Sequence, residues 1–396
     1  MSAPAGVEEC PYPFNDFTGL DLGVGYRAAL AAPGLTRVRL PLGEPAWLVT
    51  RWDEARQVLA DRRFSRAAAA DRDAPRALPR AIGGIVTMDP PALSRIRRLA
   101  GQAFTARRVG ALRPHVRQLA RELIDAMLAK GPPADLVADF AVPMPTALIC
   151  TLLGVPHADR DRFRGWNDAL LATGPDAGPA TAAAFGALRG YIGDLIDRRR
   201  AEPADDLITA LIAARDEAGA LSEPELVLLC IAILVAGYEA SSAQIPNFWY
   251  LLHRHPEHRA ALRAAPARLP AAIEELLRYT PLATGAMFAH YAAEDVRIGG
   301  TVVRAGEPVL VSIGAANRDP GRFPHPDRID PDRDATGHLG FGYGLHHCLG
   351  AALGRLELHE ALAALLERMP GLRPAGPVQW RTETFFRGPR AMPVTW

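Results

Sequence analysis

The sequence has little that would tie it to nucleic acid or to an oxidising compartment. Acidic and basic residues nearly cancel, with a formal net charge of +1, so no global field attracts polyanions. Lys130 is the single lysine, and arginine carries the remaining positive side-chain charge. The cysteines lack paired spacing, which excludes a disulfide framework or a zinc cluster and indicates a reducing cytoplasm. They are Cys10, Cys150, Cys230 and Cys348.

Long hydrophobic runs are also missing. Residues 1–16 carry Glu8 and Glu9 and no apolar stretch, so we expect neither a signal peptide nor a membrane anchor. The longest apolar stretch, residues 226–237, is too short to span a bilayer. These absences predict a cytoplasmic protein, expected to be a monomer, with no nucleic acid and no membrane among its partners.

The composition that remains is that of a large globular protein. Hydrophobic residues make up 49% of the chain and charged residues 22%, so a sizeable core can be buried. Alanine, leucine and arginine run throughout without a linker-like break. We therefore expect one domain over residues 1–396.

Periodicity predicts a mainly α fold with a small β region. Residues 46–50 predict a strand, residues 53–61 predict a helix, and helical patterns dominate after Pro91. Further strands are expected at 296–303 and 308–312. Predicted helices cover 93–104, 109–129, 146–153, 185–200, 206–217, 269–279 and 350–368. Residues 65–88 form an unusually long connection, typical of a lid or binding loop.

One predicted helix should cross the middle of the protein. Ser222 is a strong N-cap, with Pro224 and acidic residues in the first turn. The residues that follow, through Leu234, are hydrophobic on all sides, which indicates a buried helix. Pro246 is expected to kink or end it.

Residues 341–350 place Cys348 between a glycine-rich loop and a helix start. Helix-terminal dipole and backbone N–H groups lower a cysteine pKa, so this setting favours a thiolate. A buried cysteine in a turn is the plain alternative. A zinc site with His346 and His347 is excluded, because three adjacent residues cannot easily surround a tetrahedral ion. Glycines would let the backbone approach a flat ligand, and they stand at Gly342, Gly344 and Gly350.

This stretch resembles the heme-binding signature of the cytochrome P-450 family, Phe-x-x-Gly-x-[His or Arg]-x-Cys-x-Gly, at every fixed position. The resemblance implies a P-450 fold, with heme b (iron protoporphyrin IX) between the central helix and the Cys348 loop. Cys348 would be the iron ligand, and His346 would bind a heme propionate. Other implied cofactor contacts are Phe341, Gly342, Gly350 and Ala236.

Other landmarks of the family follow in order. Glu275 and Arg278 match its Glu-x-x-Arg pair and share one helix face, as a buried structural ion pair or as solvated surface charges. Arg97 matches a propionate-binding arginine, although Leu93 replaces the histidine usual four residues earlier. His290 stands where many relatives carry an arginine. The resemblance therefore implies that Arg97, His346 and His290 share the propionates.

Residues 236–241 resemble the family's oxygen-binding motif, Ala-Gly-x-[Asp or Glu]-Thr, and match a variant found in a macrolide-precursor hydroxylase. Glu239 is retained, but Ala240 replaces the threonine and cannot donate a hydrogen bond. Ser241 lies about 100° further round the helix, so it points elsewhere unless the helix distorts. Glu239 through water, a substrate hydroxyl, or Ser241 would then complete proton delivery.

Substrate contacts follow only from position in the resemblance, and each of them could equally be plain core. An apolar pocket without an obvious cation indicates a bulky, mostly neutral small-molecule substrate. The candidates are Ile85, Val86, Ala283, Met287, Phe288 and Phe385.

The resemblance implies an O₂-dependent monooxygenase that hydroxylates or epoxidises a natural-product scaffold such as a macrolide, terpenoid or peptide. Electrons would come from NAD(P)H through a ferredoxin reductase and a ferredoxin, since no flavin or iron–sulfur sequence is attached. An arginine patch could dock the ferredoxin. It comprises Arg95, Arg98, Arg107 and Arg108. The alternatives are oxidative C–C or C–O coupling without oxygen insertion, and a non-catalytic heme- or ligand-binding protein.

Overall fold

The computed structural model describes residues 9–14, 19–77, 83–101, 104–173, 176–218, 221–382 and 384–396. Its helices are α1 Val24–Ala31, α2 Trp52–Ala60, α3 Ala92–Gly101, α4 Ala106–Ala111, α5 Arg113–Lys130, α6 Pro143–Leu153, α7 Arg160–Leu170, α8 Ala177–Ala201, α9 Leu207–Ala218, α10 Glu223–Arg254, α11 Pro256–Ala264, α12 Leu269–Tyr279, α13 Ile313–Ala316 and α14 Ala351–Arg368. Its strands are β1 Cys10–Pro11, β2 Thr36–Arg39, β3 Ala46–Val49, β4 Phe64–Ser65, β5 Ala134–Asp135, β6 His290–Ala292, β7 Val296–Ile298, β8 Thr301–Val303, β9 Pro308–Val311, β10 Arg373–Pro374, β11 Gln379–Trp380, β12 Pro389–Ala391 and β13 Pro393–Thr395.

The 32-residue helix α10 is the predicted central helix. Ser222 and Glu225 form a capping box at its start, in which the Glu225 carboxylate accepts from the Ser222 backbone at 2.8 Å. The helix does not end at Pro246, and it continues to Arg254. Phe248 and Trp249, just beyond the proline, are fully buried. Their packing outweighs the backbone hydrogen bond that the proline removes.

By length and apolar composition α10 could also cross a membrane, unlike the shorter stretch considered from sequence. However, 67% of its most apolar window is buried inside the protein, as expected of a core helix. It packs against α6, α8 and α14, and α14 also packs against α5. The largest hydrophobic core lies among these helices. The packing of these helices therefore determines which side chains of residues 236–241 are buried and which are open.

The β region lies beside this helical core. Six strands form one sheet in the order β1-β2-β3-β9-β6-β4, with β3 and β9 parallel. In this sheet β6 pairs with β9, opposing His290 and Val309, and with β4, opposing Phe64 and Ala292. The pairing brings the residues after β4 next to His290.

Most predicted helices are present, and the differences have local causes. Residues 109–129 form two helices, α4 and α5, that meet at Leu112, because Pro114 lacks an N–H and starts a new helix. The described part of α3 runs to Gly101, and residues 102–103 near its predicted end lie outside the described residues. Of the predicted lid, residues 65–77 and 83–88 are described, and residues 78–82 lie outside the described part.

Candidate active site

The Cys348 loop depends on two glycines in left-handed conformations. Gly342 has φ 71° and Gly344 has φ 65°. A Cβ added to Gly344 would lie 2.4 Å from the Leu59 carbonyl oxygen, so only glycine fits there. By contrast, Gly350 has φ −87°, and a Cβ added to it meets no protein atom. The backbone conformation therefore requires glycine at positions 342 and 344, and neither conformation nor protein contacts require it at position 350.

Cys348 is an exposed cysteine at the start of α14, whereas Cys150 and Cys230 are buried. Its N–H donates to the Phe341 carbonyl at 2.8 Å, which closes the loop. Desolvation by the surrounding protein raises the pKa of Cys348, and this outweighs the Gly350 backbone hydrogen bond and nearby arginine charges. The prediction that this setting alone lowers the pKa was therefore wrong. A metal ion on the sulfur would hold it deprotonated.

One ion pair within α12 and one between α12 and α14 hold the segments before and after the loop. Glu275 and Arg278 are bonded at 2.7 and 2.8 Å with both side chains fully buried. Arg278 also donates to the carbonyls of Asn317 and Pro326. Arg355 of α14 bonds both oxygens of Glu274, whose pKa falls to about 2 because hydrogen bonds from His338 and Arg355 outweigh burial. The Glu-x-x-Arg pair is thus interior.

Next to Cys348 lie cationic and donor groups from separate elements. Arg97 Nη2 donates to the His347 carbonyl at 2.7 Å, and burial lowers the pKa of Arg97. Burial, followed by the charges of Arg66 and Arg97, lowers the pKa of His346 to about 3, so its imidazole is neutral at pH 7. Leu93 is 1% exposed and belongs to the core.

Arg66 joins this group, although sequence reasoning missed it. Its Nε donates to His290 Nε2 at 3.0 Å, its Nη1 donates to the Val86 carbonyl at 3.1 Å, and its guanidinium lies 4.5 Å from the Phe288 ring centroid. Nothing local in the sequence separates Arg66 from exposed Arg63. Only the pairing of β4 with β6 places it there.

Facing this region, α10 presents small side chains. Ala236 is exposed and Ala240, one turn later, is half-buried, while Tyr238, Glu239 and Ser241 between and beside them are buried. The two alanines therefore mark the open face of the helix. Glu239 and Ser241 point away from it.

Glu239 is held by two partners that sequence reasoning missed. One carboxylate oxygen accepts from Asn167 of α7 at 2.8 Å, and the other accepts from Arg381. Burial raises the pKa of Glu239, while the positive charge of Arg381 lowers it. Both oxygens are bonded, so the acid lies in a fixed polar bridge between α7, α10 and the C-terminal segment.

The Ser241 side chain is buried and lies off the open face of α10, where Ala240 replaces the threonine. Its hydroxyl is bonded to Glu357 of α14, a fully buried acid that sequence reasoning also missed. Burial raises the pKa of Glu357 to about 8, although the Ser241 hydrogen bond lowers it. At neutral pH this carboxyl group is mostly protonated.

The predicted substrate residues fall into two groups. Ile85 and Val86 lie in a 3₁₀ turn that contacts α10, and both are half-buried, as are Ala283, Met287 and Phe288. Phe385 is 1% exposed and belongs to the core. Its backbone bonds Thr284 at 2.9 Å and Leu171 at 3.2 Å, which joins the segment after α12 to the end of α7.

These groups fit a flat iron-bearing dicarboxylate. Cys348 offers a soft sulfur ligand, and the guanidiniums of Arg66 and Arg97 form no ion pair with any carboxylate among the described residues. Two half-buried cations of this kind favour two anionic groups. The donor set is that expected for heme.

Comparison with known proteins agrees with this geometry. The family model Cytochrome P450 matches residues 181–370. The chain is 51% identical to the mycinamicin IV hydroxylase/epoxidase of Micromonospora griseorubida, over 98% of this chain and 99% of that one. It is 41% identical to the 6-deoxyerythronolide B hydroxylase of Saccharopolyspora erythraea, over 91% and 92%. A solved cytochrome P450mel with biaryl coupling reactivity superposes with a TM-score of 0.95 at 40% identity, over 98% and 100%.

The chain belongs to the cytochrome P450 family. It is a heme-b-dependent P450 monooxygenase with the P450 fold, of the kind that tailors natural products and uses redox partners and small-molecule substrates. The predictions of family, fold, cofactor and enzyme class are confirmed. The non-catalytic alternative is not supported.

Proposed function

We propose that Cys348 is the axial ligand of the heme iron and that Arg97 and His346 bind its propionates. The observation that carries this is the exposed Cys348 sulfur in its glycine-locked loop, beside Arg97. Phe341, Gly342, Gly350 and Ala236 line the cofactor. When bound, the thiolate-ligated heme supplies reductive activation of O₂.

Two buried acids at α10, Glu239 and Glu357, have different tasks. Glu239 positions charge, because Arg381 and Asn167 occupy both of its oxygens. The hydrogen-bonded Ser241 and Glu357 hold a proton on the Glu357 carboxyl at neutral pH. We propose that this pair supplies the proton that a threonine at position 240, where Ala240 stands, would otherwise help to deliver. A substrate hydroxyl beside Ala240 is the alternative.

The substrate is a bulky, mostly neutral natural product, and the reaction is hydroxylation or epoxidation. A macrolide is favoured, since relatives at 51% and 41% identity are named for mycinamicin IV and 6-deoxyerythronolide B. Small side chains on α10 and half-buried Ile85, Val86, Ala283 and Met287 support an apolar pocket. Phe288 borders it, and Phe385 supports it from the core.

We propose that a ferredoxin and its NAD(P)H-driven reductase deliver electrons to a cytoplasmic, single-domain monomer. Arg98, Arg107 and Arg108 are exposed. Arg95 pairs with Glu225 at 2.5 Å, so it contributes least to the docking patch. Such a patch would steer an acidic ferredoxin most strongly at low salt.

Oxidative coupling is the second candidate. A solved relative with a TM-score of 0.95 is described as having biaryl coupling reactivity. A proton relay that lies away from Ala240 is compatible with oxygen insertion and also with coupling. Coupling joins substrate radicals and inserts no oxygen. Isotopic oxygen separates the two: hydroxylation or epoxidation places ¹⁸O from ¹⁸O₂ in the product, and coupling does not.

Turnover with a surrogate ferredoxin, its reductase and a macrolide panel tests the proposal, with product measured per NADPH consumed. Ser241→Ala should lower this ratio about tenfold or more. Ser242→Ala is the matched control, since its hydroxyl bonds only the Tyr238 carbonyl of α10 among described residues, and it should leave the ratio unchanged. Equal coupling in Ser241→Ala and the unmodified enzyme, with collapse for a substrate lacking one hydroxyl, would favour the substrate as relay.

A further inference from the structure

Arg66 lies at the junction of the cofactor site and the segment over it. It follows β4, and its side chain crosses to β6, where it bonds His290. The charge of Arg66 also acts on His346, as does that of Arg97. These four side chains come from four different elements and converge on one place.

The charge of Arg66 has no direct carboxylate partner among the described residues. Asp89 lies close, but its oxygens accept from the Ser65 hydroxyl, from the Arg66 backbone N–H at 3.0 Å and from the Ala67 backbone. It bonds the turn and not the guanidinium. The Arg66 Nη2 group forms no hydrogen bond to any residue that the structure describes. A half-buried cation in this state favours an anionic ligand.

His290 orients Arg66. Because Nε2 of His290 accepts a hydrogen bond from Arg66 Nε, the imidazole must be neutral and carry its proton on Nδ1. Burial, together with the charge of Arg66, holds the pKa of His290 well below its usual value, in agreement with that tautomer. The Nε2 atom is therefore already engaged, and His290 is a support for the cation.

We infer that Arg66 binds a heme propionate in place of the histidine that Leu93 replaces, and that His290 is its positioning residue. This inference rests on the proposed heme site. It reassigns the role expected for His290 to Arg66. The second guanidinium nitrogen, Nη1, bonds Val86, so the same side chain joins the propionate to the 3₁₀ turn that carries Ile85 and Val86. Heme occupancy thereby orders part of the substrate boundary.

The test compares heme loss from holoenzyme variants to excess apomyoglobin. Arg66→Gln should speed heme loss about tenfold or more, since a charge-assisted hydrogen bond is removed. Arg72→Gln is a matched control: Arg72 also stacks on an aromatic ring, at 4.7 Å from Tyr291, and also bonds a carbonyl, that of Gly306. It should lose heme at the unmodified rate. Arg66→Lys, which keeps the charge, should fall between.

A double-mutant cycle separates positioning from general structural support. His290→Leu alone should speed heme loss less than Arg66→Gln, and combined with Arg66→Gln it should add nothing further. Independent, additive effects would overturn the positioning role. Hydrogen exchange of residues 83–88 in the holoenzyme should rise in Arg66→Gln and not in Arg72→Gln.

Two failures are distinguishable. If the unmodified protein binds no heme or gives no thiolate-type CO spectrum, the proposed function fails. If it gives that spectrum and Arg66→Gln loses heme no faster than Arg72→Gln, the Arg66 inference is wrong while the proposed function stands. Equal thermal unfolding of the two apoproteins would show that misfolding is not the cause of a faster loss.

Discussion

The two faces of the candidate site are built differently. On the thiolate side, the Cys348 loop with α12 and α14, close contacts involve backbone atoms and the fully buried ion pair of Glu275 and Arg278. On the central-helix side, residues 236–241 of α10, polar groups find partners in distant segments, as Glu239 does with Arg381 and Ser241 with Glu357.

This difference explains why the contacts of the thiolate side could be predicted from sequence, whereas those of the central-helix side could not. A loop that needs left-handed glycines and a backbone bond between Phe341 and Cys348 imposes a fixed spacing. By contrast, a carboxylate on a helix can accept hydrogen bonds from any element that packs against that helix. The identity of residues 239 and 241 therefore says little about their partners.

The largest loss of stability is expected when the Arg278 cation on the thiolate side is removed. Arg278→Met breaks the fully buried pair and leaves Glu275 with only the weaker pair to Arg333, at 3.2 Å, and breaking a buried pair costs about 3–5 kcal/mol. Urea unfolding should show that decrease in the free energy of unfolding. The exposed pair Arg304 and Asp295 is the control, because Arg304→Met should cost at most about 1 kcal/mol. Similar costs for both would mean that Glu275 and Arg278 are not a structural core.

Because of Glu357, which joins α14 to α10, the stability of the folded protein should depend on pH. Its pKa in the folded protein, about 8, lies above the ordinary value of 4.5, so stability that is full below pH 4.5 is lost as pH rises through 8. Glu357→Gln removes this loss. Its advantage over the unmodified protein should grow by about 2–3 kcal/mol from pH 6 to pH 9.

The comparison is made by urea unfolding at the two pH values. An advantage that stays constant between pH 6 and pH 9 would show that Glu357 is ionised in the folded protein at neutral pH. The proton supply proposed for Ser241 and Glu357 would then be wrong.

A smaller effect is expected at Gly344. Gly344→Ala forces a side chain into φ 65° against the Leu59 carbonyl, and should cost about 1–2 kcal/mol and weaken heme retention. Gly110→Ala, in α4 with open space around it, should be neutral or stabilising by about 0.5–1 kcal/mol. Thermal unfolding of the holoenzymes checks both, and a tolerated Gly344→Ala would show that the loop can shift.

Sequence predicted the helices that have clear periodicity, including α10, α12 and α14, and α10 also begins with a capping box. It predicted an end or kink at Pro246, but buried neighbours sustain the helix. It found Glu275 and Arg278 because they match the family's Glu-x-x-Arg pair, whose spacing places both side chains on one helix face. It missed Arg66, Arg381, Asn167 and Glu357, because only tertiary packing brings them to the site. The lowered pKa expected for Cys348 was wrong, because helix-end effects were weighed without desolvation.

The most direct test of the account is the CO spectrum of the reduced protein, unmodified and as Cys348→His. The unmodified protein should give the band typical of thiolate-ligated heme, and Cys348→His should move the band to that of histidine-ligated heme. An unchanged band in the variant would contradict Cys348 as the iron ligand and, with it, the site proposed between α10 and the Cys348 loop.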